Sequence, residues 1–367
     1  MEPPAEVGVY EVAIVGAGPI GIEVAAAFRA MNVNYVHIEA GCIGSTIGWW
    51  APGTRFFSSP ERIAIAGVPL VVAGQEKASR EEYLAYLRGV VEQFDLQIRQ
   101  YERVVRAVRV GDEFELITAR SGHGVGGPRE GREKGDLPDL PHAEYRAKKL
   151  VLAIGNMHTP RLVGVTGEEL PHVSHYLEDP HVYARRRVVI VGARNSAVEA
   201  AIRLYRVGAK VTLCTRGEEL ERARIKYWLL PELEWLIRQG RIEWRAGTLV
   251  TGVDADGVTL RDRAGMESQV DADAVLMLTG YVQSGELFEM LGLETKGHAA
   301  RPVLDERTME ASVRGVFVAG TATAGSESKV TVFIENAHEQ VGKIVRAVVG
   351  RDVEAGRLPN WEGMEES

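Results

Sequence analysis

The residues with the clearest chemical potential are three glycines in the hexad Gly16-Ala17-Gly18-Pro19-Ile20-Gly21. At that spacing a strand can turn sharply into a helix and present bare backbone N–H groups to an anion. A second hexad, Gly192-Ala193-Arg194-Asn195-Ser196-Ala197, repeats the pattern with an arginine at the middle position. Such turns hold a pyrophosphate: one glycine closes the turn, one lets the backbone approach the phosphates, and one lets helix and strand pack. Two of them in a chain of 367 residues imply two bound dinucleotides.

The elements that must position these turns are legible on either side. Val12-Ala13-Ile14-Val15 reads as a buried strand, and Ile20 to Met31 carries apolar residues at helical spacing. The next strand, Tyr35-Val36-His37-Ile38, ends at Glu39 and Ala40, with Glu39 eighteen residues past Gly21. A carboxylate there suits two ribose hydroxyls and repels a 2′-phosphate, so the first site is expected to hold FAD rather than NADPH. The second unit pairs the strand Val188-Val189-Ile190-Val191 with a helix from Ala197 to Arg206. Arg194 narrows the approach to its loop, but a guanidinium can itself donate to phosphates, with Asn195 and Ser196 beside it. The following strand, Lys210 to Thr215, ends in Arg216 where an NAD site usually carries an acid, which points to NADPH over NADH. Lys226 is a further candidate for that pocket, while Arg222 and Arg224 read equally well as a solvated basic face.

Composition narrows the class. At 45% apolar content the chain is long enough for two domains with sizeable cores, and a net charge of −8 gives no general drive toward nucleic acid or anionic membranes. No apolar run approaches membrane-spanning length and the start, Met1 to Glu6, is acidic, so the expected location is the cytoplasm. The two cysteines, Cys42 and Cys214, form neither a C-x-x-C nor a C-x4-C pattern and are expected to be reduced structural thiols. His172, His175 and His181 cluster ahead of the second nucleotide strand. His172 and His175 are weak candidates for a proton donor, a structural histidine being the commoner role, and the trio lacks the spacing of a metal site.

Punctuation supplies the remaining organisation. A loop from Gly41 to Pro60 precedes a helix from Ser79 to Phe94 and strands around Val104–Val108 and Glu113–Thr118. The polar, glycine-rich stretch from Ser121 to Pro141 reads as an exposed hairpin loop. The strand Leu150 to Ile154 stops at Gly155, where the chain should leave the first domain, and Val275 to Gly280 closes the second around a hairpin at Asp254–Gly257. Gly315 to Thr321 and a final helix return to the first domain.

The order of these motifs, with Ala153-Ile154-Gly155, Thr279-Gly280-Tyr281 and Ala319-Gly320-Thr321, resembles the low-molecular-weight thioredoxin reductase fold over nearly the whole chain. Within it, Arg55-Phe56-Phe57-Ser58-Ser59-Pro60-Glu61-Arg62, His172-Val173-Ser174-His175-Tyr176, Asn195 to Ala200 and Phe333-Ile334-Glu335-Asn336 are similar to the bacillithiol disulfide reductase group. The resemblance implies an α/β fold of two Rossmann-like, three-layer ββα domains: a discontinuous FAD domain over 1–160 and 283–367, an NAD(P)H domain over 161–282, and a homodimer. It places Ser45, Thr46, Trp49, Trp50, Phe56 and Phe57 along the flavin ring. A C-terminal helix containing Phe333 and Ile334 would direct its N–H groups at the ring's N1 and O2. Three departures stand out. Ile20 fills the position of the group's cysteine, Thr321 replaces the aspartate of Ala-Gly-Asp, and Tyr176-Leu177-Glu178-Asp179 stands where thioredoxin reductases carry their dithiol.

These readings favour an FAD-dependent NADPH oxidoreductase that reduces a small oxidant, foremost a low-molecular-weight disulfide, without an internal dithiol. The hydride would pass from NADPH to flavin after a domain rotation. An NADPH-ferredoxin or -flavodoxin reductase also lacks a dithiol and calls for a tail aromatic over the flavin, for which Trp361 is available. Two nucleotide motifs also allow a flavin monooxygenase, and Arg194 and Thr321 would suit a non-enzymatic redox-sensing flavoprotein.

Overall fold

The computed structural model describes residues 8–121, 141–157, 159–326 and 331–350. The acidic start, residues 122–140 of the glycine-rich stretch, and Trp361 lie outside the described residues.

The first glycine turn sits at the centre of a sheet because the most apolar strands surround it. β1 (Val9–Val15), β2 (Tyr35–Ile38), β3 (Ile98–Arg99), β4 (Glu102–Val110), β5 (Glu113–Arg120) and β6 (Pro141–Leu152) run in the order β3-β2-β1-β6-β5-β4. β6 has a double role. Its middle pairs antiparallel with β5, Ala147 opposite Phe114, whereas Leu150, Val151 and Leu152 pair in parallel with the returning strand Val316–Val318. Those three residues are fully buried, as parallel strands covered on both faces must be. The helix α1 (Pro19–Ala30) follows the turn with proline in its first turn, where a missing N–H costs nothing. Nearly all of α1 is buried, packed on Val341, Ile344 and Val345 of the last helix, His338–Val349. Its one buried acid, Glu23, accepts from Ala66 N–H at 3.1 Å and lies 2.8 Å from His338 Nδ1, so the two helices are tied by a polar contact inside the core.

The helix predicted from Ser79 to Phe94 is Arg80–Gln93, started by a capping box in which Ser79 and Glu82 satisfy each other's backbone N–H. One expectation is corrected: Thr331–Asn336 is not part of the final helix. Asn336 accepts from Phe333 N–H at 2.8 Å and donates to the Thr331 carbonyl at 2.9 Å, closing a separate 3-10 turn, Ile334–Asn336, before the helix begins at His338.

The second unit repeats the plan. Ile242–Arg245, Lys210–Cys214, Arg187–Val191, Ala274–Met277 and Val173–Ser174 form a parallel sheet in that order, and Leu249–Val253, Gly257–Arg261 and Glu267–Asp271 form an antiparallel one. The helices Asn195–Arg206 and Leu230–Arg238 bury Ala201, Leu204, Leu233 and Leu236 against the parallel sheet. The chain enters and leaves this unit through a two-stranded antiparallel ribbon, Thr159–Pro160 beside Tyr281–Val282. Among the described residues no helix is long and apolar enough to cross a membrane.

Candidate functional site

The first glycine turn shows what each glycine does. A side chain on Gly16, whose φ is +103°, would overlap the Ala153 carbonyl, and one on Gly21 would overlap the Gly16 carbonyl, so both are required by packing alone. Gly18 differs: its backbone is extended (φ −74°, ψ −179°), and an added Cβ would meet no atom of the described residues within 4 Å. It stands at the N-terminus of α1, where no side chain among the described residues caps the first-turn N–H groups. Bare donors, a helix dipole and a backbone that can be approached closely fit a pyrophosphate.

Glu39 is 6% exposed and receives Ala17 N–H at 2.6 Å, Gly41 N–H at 2.7 Å and Ser45 Oγ at 3.1 Å. Burial raises its pKa, and these three donors pull it back. The carboxylate thus joins the glycine turn to the helical turn Ser45–Gly48, which carries Thr46 and stands next to exposed Ala40 in the same loop. His37, fully buried, supports the turn from behind: its Nε2 donates to the Gly16 carbonyl at 2.9 Å, and burial drives its pKa down to about 4, keeping the ring neutral. Ile20 packs on Gly320, whose added Cβ would lie 3.4 Å from the Ile20 Cβ, and Thr321 Oγ1 lies 3.8 Å from where Gly155 would carry one. The end of β6, the glycine turn and Gly320–Thr321 therefore meet at one point.

The aromatic residues divide. Phe56 is buried and packs between Trp50 (4.8 Å between ring centres) and Tyr83 (4.4 Å), a core role. Phe57 turns the other way, with its ring centre 5.8 Å from that of Trp228 in the second unit. Phe333 is partly exposed, beside Ile334 in the capped turn.

At the second glycine turn Gly192 again has positive φ, and a Cβ on it would lie 2.5 Å from the Leu278 carbonyl oxygen. Arg194 occupies the N-cap without a side-chain cap bond, exposed like Ser196. Asn195 is engaged in holding the next loop, its Oδ1 accepting from Lys226 N–H at 2.8 Å. Arg216 is exposed at its strand end, with no ion pair among the described residues, and Gly280 has φ +100° and open space beside it. Arg222 and Arg224 pair with Glu234 and Glu221 on the surface. The Lys226 side chain leaves the second unit, its ammonium 4.2 Å above the Phe57 ring.

His175, 3% exposed, places Nε2 2.9 Å from Glu168, which also accepts from the N–H groups of Val163 and Gly164 at 2.8 and 2.6 Å. These two residues lock the loop that leads into the edge strand Val173–Ser174. His172 is half-buried at the start of that strand, its carbonyl bonded to Val275 N–H, and His181 is exposed in a separate 3-10 turn. The three histidines do not converge, and among the described residues no group of three or more His, Cys, Asp or Glu could hold a metal. Both cysteines are free: burial and the nearby Glu39 raise the Cys42 thiol, and burial pushes Cys214 up to about 12, so neither is poised as a thiolate.

Further contacts, one of them from a residue with no sequence signal, join the two units. Arg203 reaches from helix Asn195–Arg206 to Thr54 Oγ1 at 2.8 Å and to the Pro52 carbonyl, and Trp49 meets Tyr176 edge-on at 6.3 Å. In sequence, Arg203 reads as the partner of Glu199 one turn earlier, since its other contacts are about 150 positions away.

The geometry agrees with known proteins. The family model described as pyridine nucleotide-disulphide oxidoreductase matches residues 13–123 and 140–320. The bacilliredoxin reductase of Bacillus subtilis is 30% identical over 340 residues, spanning 92% of this chain and 97% of its own. The bacillithiol disulfide reductase structure from Bacillus cereus gives a TM-score of 0.84 at 30% identity, covering 94% of this chain and all of that one. A ferredoxin–NADP reductase of Ignicoccus hospitalis is 27% identical over 84% of this chain and 89% of its own. The chain belongs to the pyridine nucleotide-disulphide oxidoreductase family and is an FAD-dependent oxidoreductase with the thioredoxin reductase fold.

Proposed function

We propose that this protein reduces a low-molecular-weight disulfide with NADPH, through FAD, without a protein dithiol. The observation that carries the reading is the state of its thiols: Cys42 and Cys214 are both free, one in each unit, both with raised pKa, and the buried Ile20 packs on Gly320 at the glycine turn. The relatives named for bacilliredoxin and bacillithiol disulfide reduction support the acceptor class. When bound, the two nucleotides supply hydride transfer: one NADPH and one proton reduce one disulfide bond to two thiols.

The chain's own residues do the positioning. Residues 1–160 and 283–367 would hold FAD and 161–282 NADPH. Gly16, Gly18, Pro19 and Gly21 present the N-terminus of α1 to the FAD pyrophosphate, and Glu39 the adenosine ribose. Gly155, Gly320 and Thr321 border the same point from the other side. Gly192 and Arg194 take the NADPH phosphates, and Arg216, exposed and without a carboxylate partner among the described residues, takes the 2′-phosphate. Lys226, whose ammonium stands over the Phe57 ring, is a further candidate for that pocket. The two-stranded ribbon at 159–160 and 281–282 is the natural axis for any rotation of one unit against the other. Reduced free thiols suit a cytoplasmic location, and a homodimer is the expected assembly.

The test is a product count. With the purified flavoprotein, each NADPH consumed should yield two thiols from glutathione disulfide, cystine or bacillithiol disulfide, with NADH much slower. The relative named ferredoxin–NADP reductase makes the second arm worthwhile. NADPH oxidation that yields reduced ferredoxin or flavodoxin and no thiol would replace this reading.

A further inference from the structure

The turn that carries Arg216 is held by more than its backbone. It follows the strand Lys210–Cys214, whose parallel neighbour Ile242–Arg245 sets Trp244 opposite Leu213. From there the half-buried indole donates its Nε1–H to the Thr215 hydroxyl at 2.9 Å. That hydroxyl, on a residue only 2% exposed, donates in turn to the Gly217 carbonyl at 2.9 Å and so bridges over Arg216. The backbone on both sides is pinned as well. Thr215 N–H donates to the Arg245 carbonyl, Thr248 N–H to the Thr215 carbonyl and Gly247 N–H to the Gly217 carbonyl, each at 3.0 Å. Arg216 itself is exposed and has no carboxylate partner among the described residues. Glu218, two positions on, and Glu243, on the neighbouring strand, are already paired with Arg263 at 2.9 Å and Arg245 at 2.6 Å.

An indole has one N–H and no acceptor, and a threonine hydroxyl has one proton and two lone pairs. With the indole proton on one lone pair, the hydroxyl proton is directed at Gly217, and the chain runs one way, from Trp244 through Thr215 to Gly217. The consequence is geometric. A turn fixed at both ends and across its span holds the Arg216 backbone in place, so the guanidinium loses less conformational freedom when it closes on an anion. Taking Arg216 as the 2′-phosphate ligand, a reading on which this rests, we infer that Trp244 and Thr215 are its positioning residues. Through it they set the preference for a nucleotide with a 2′-phosphate over one with a free 2′-hydroxyl. The one N–H of Trp244 and the one O–H of Thr215 are both spent within the protein, so their influence passes through the arginine.

Calorimetric titration of the flavin-loaded full-length protein with adenosine 2′,5′-bisphosphate and with AMP tests this without turnover, because the two probes differ only in the 2′-phosphate. Wild type should bind the bisphosphate about tenfold tighter than AMP or better, and Arg216→Gln should remove most of that difference. Trp244→Phe keeps an aromatic ring and removes the N–H; Thr215→Val keeps the branched shape and removes the hydroxyl. Each should weaken the bisphosphate about threefold to tenfold, as loss of one hydrogen bond does, and leave AMP within a factor of about two. Thr215→Ser restores the hydroxyl and should bind both probes like wild type. In an Arg216→Gln background Trp244→Phe should add nothing. Equal binding of the two probes by wild type, or an Arg216→Gln protein that keeps the difference, removes Arg216 from the 2′-phosphate pocket and this inference with it. A loss in Arg216→Gln that Trp244→Phe or Thr215→Val fails to share overturns the inference alone. So do parallel losses for both probes, which would give the pair a merely structural role.

Discussion

The sharpest perturbation of the FAD site is a single methyl group at Gly18. Its backbone lies in the extended region that any residue adopts, and an added Cβ would touch no atom of the described residues within 4 Å. Gly18→Ala should therefore leave the apoprotein intact. By restricting the unfolded chain it should even stabilise it by roughly 0.4–1 kcal/mol. In a chain this long that is a rise in Tm of about 1–2 °C. The same methyl would stand where the pyrophosphate has to approach, and a loss of about 1.4 kcal/mol or more in binding is at least tenfold in Kd. Gly21→Ala is the contrast. Its Cβ would overlap the Gly16 carbonyl oxygen and lie 3.0 Å from the Gly16 carbonyl carbon and 3.3 Å from Ala153 Cβ, so the turn itself must shift, at about 1–3 kcal/mol. The assay is a pair of measurements on deflavinated protein: thermal unfolding by circular dichroism, and FAD titration followed by quenching of flavin fluorescence. The reasoning predicts unchanged or higher apo Tm with weakened FAD binding for Gly18→Ala, and lowered apo Tm for Gly21→Ala. A Gly18→Ala protein that loses apo stability, or binds FAD like the wild type, refutes it.

Arg216→Glu should raise the KM for NADPH at least tenfold while leaving that for NADH within a factor of about two, as steady-state kinetics with both donors will show; parallel changes would remove Arg216 from the 2′-phosphate pocket. His175→Ala leaves the buried Glu168 carboxylate without its ring partner and should cost about 1–3 kcal/mol in urea unfolding, whereas a change under 0.5 kcal/mol would mean the pair does not hold the 163–168 loop. For His338, burial pushes the pKa down, but the Glu23 carboxylate 2.8 Å away and the Arg62 carbonyl raise it above its ordinary value overall. A raised folded-state pKa contributes stability that is full below the unfolded value near 6.5 and is lost as pH rises through the folded one. Tm measured from pH 6 upward should accordingly decline less steeply in His338→Gln than in wild type, and identical slopes would count against the contact.

What could be read before the structure was local. The strand Val12–Val15, the helix from Ile20 and the strand ending at Glu39 follow from apolar runs and glycine spacing within forty residues, and each element stands within a few residues of its predicted bounds. The helix after Ser79 is equally plain because its capping box is written in four consecutive positions. The 331–336 turn escaped because Asn336, three residues from Phe333, satisfies the backbone that a longer helix would have used, and that choice depends on side-chain geometry rather than apolar period. The seam was invisible for a different reason. Arg203, Lys77 and Trp228 owe their roles to partners on the other unit, and their local patterns are those of any solvated helix or loop. Lys226 is legible only in part: its place soon after Arg216 suggests the nucleotide pocket, while its backbone bond to Asn195 and its position over Phe57 depend on residues elsewhere in the sequence. His37, hidden within an ordinary strand pattern, supports the glycine turn through a single bond to Gly16 that no spacing rule anticipates.

The central claim, disulfide reduction without a protein dithiol, is tested most directly by anaerobic stopped-flow of a Cys42→Ser, Cys214→Ala double variant, reduced with one equivalent of NADPH and then mixed with a low-molecular-weight disulfide. The account predicts bleaching of the flavin by NADPH and its reoxidation by the disulfide at wild-type rates, because neither thiol takes part. A variant whose flavin NADPH still reduces, but which the disulfide no longer reoxidises, would place one of those cysteines in the electron path and contradict it.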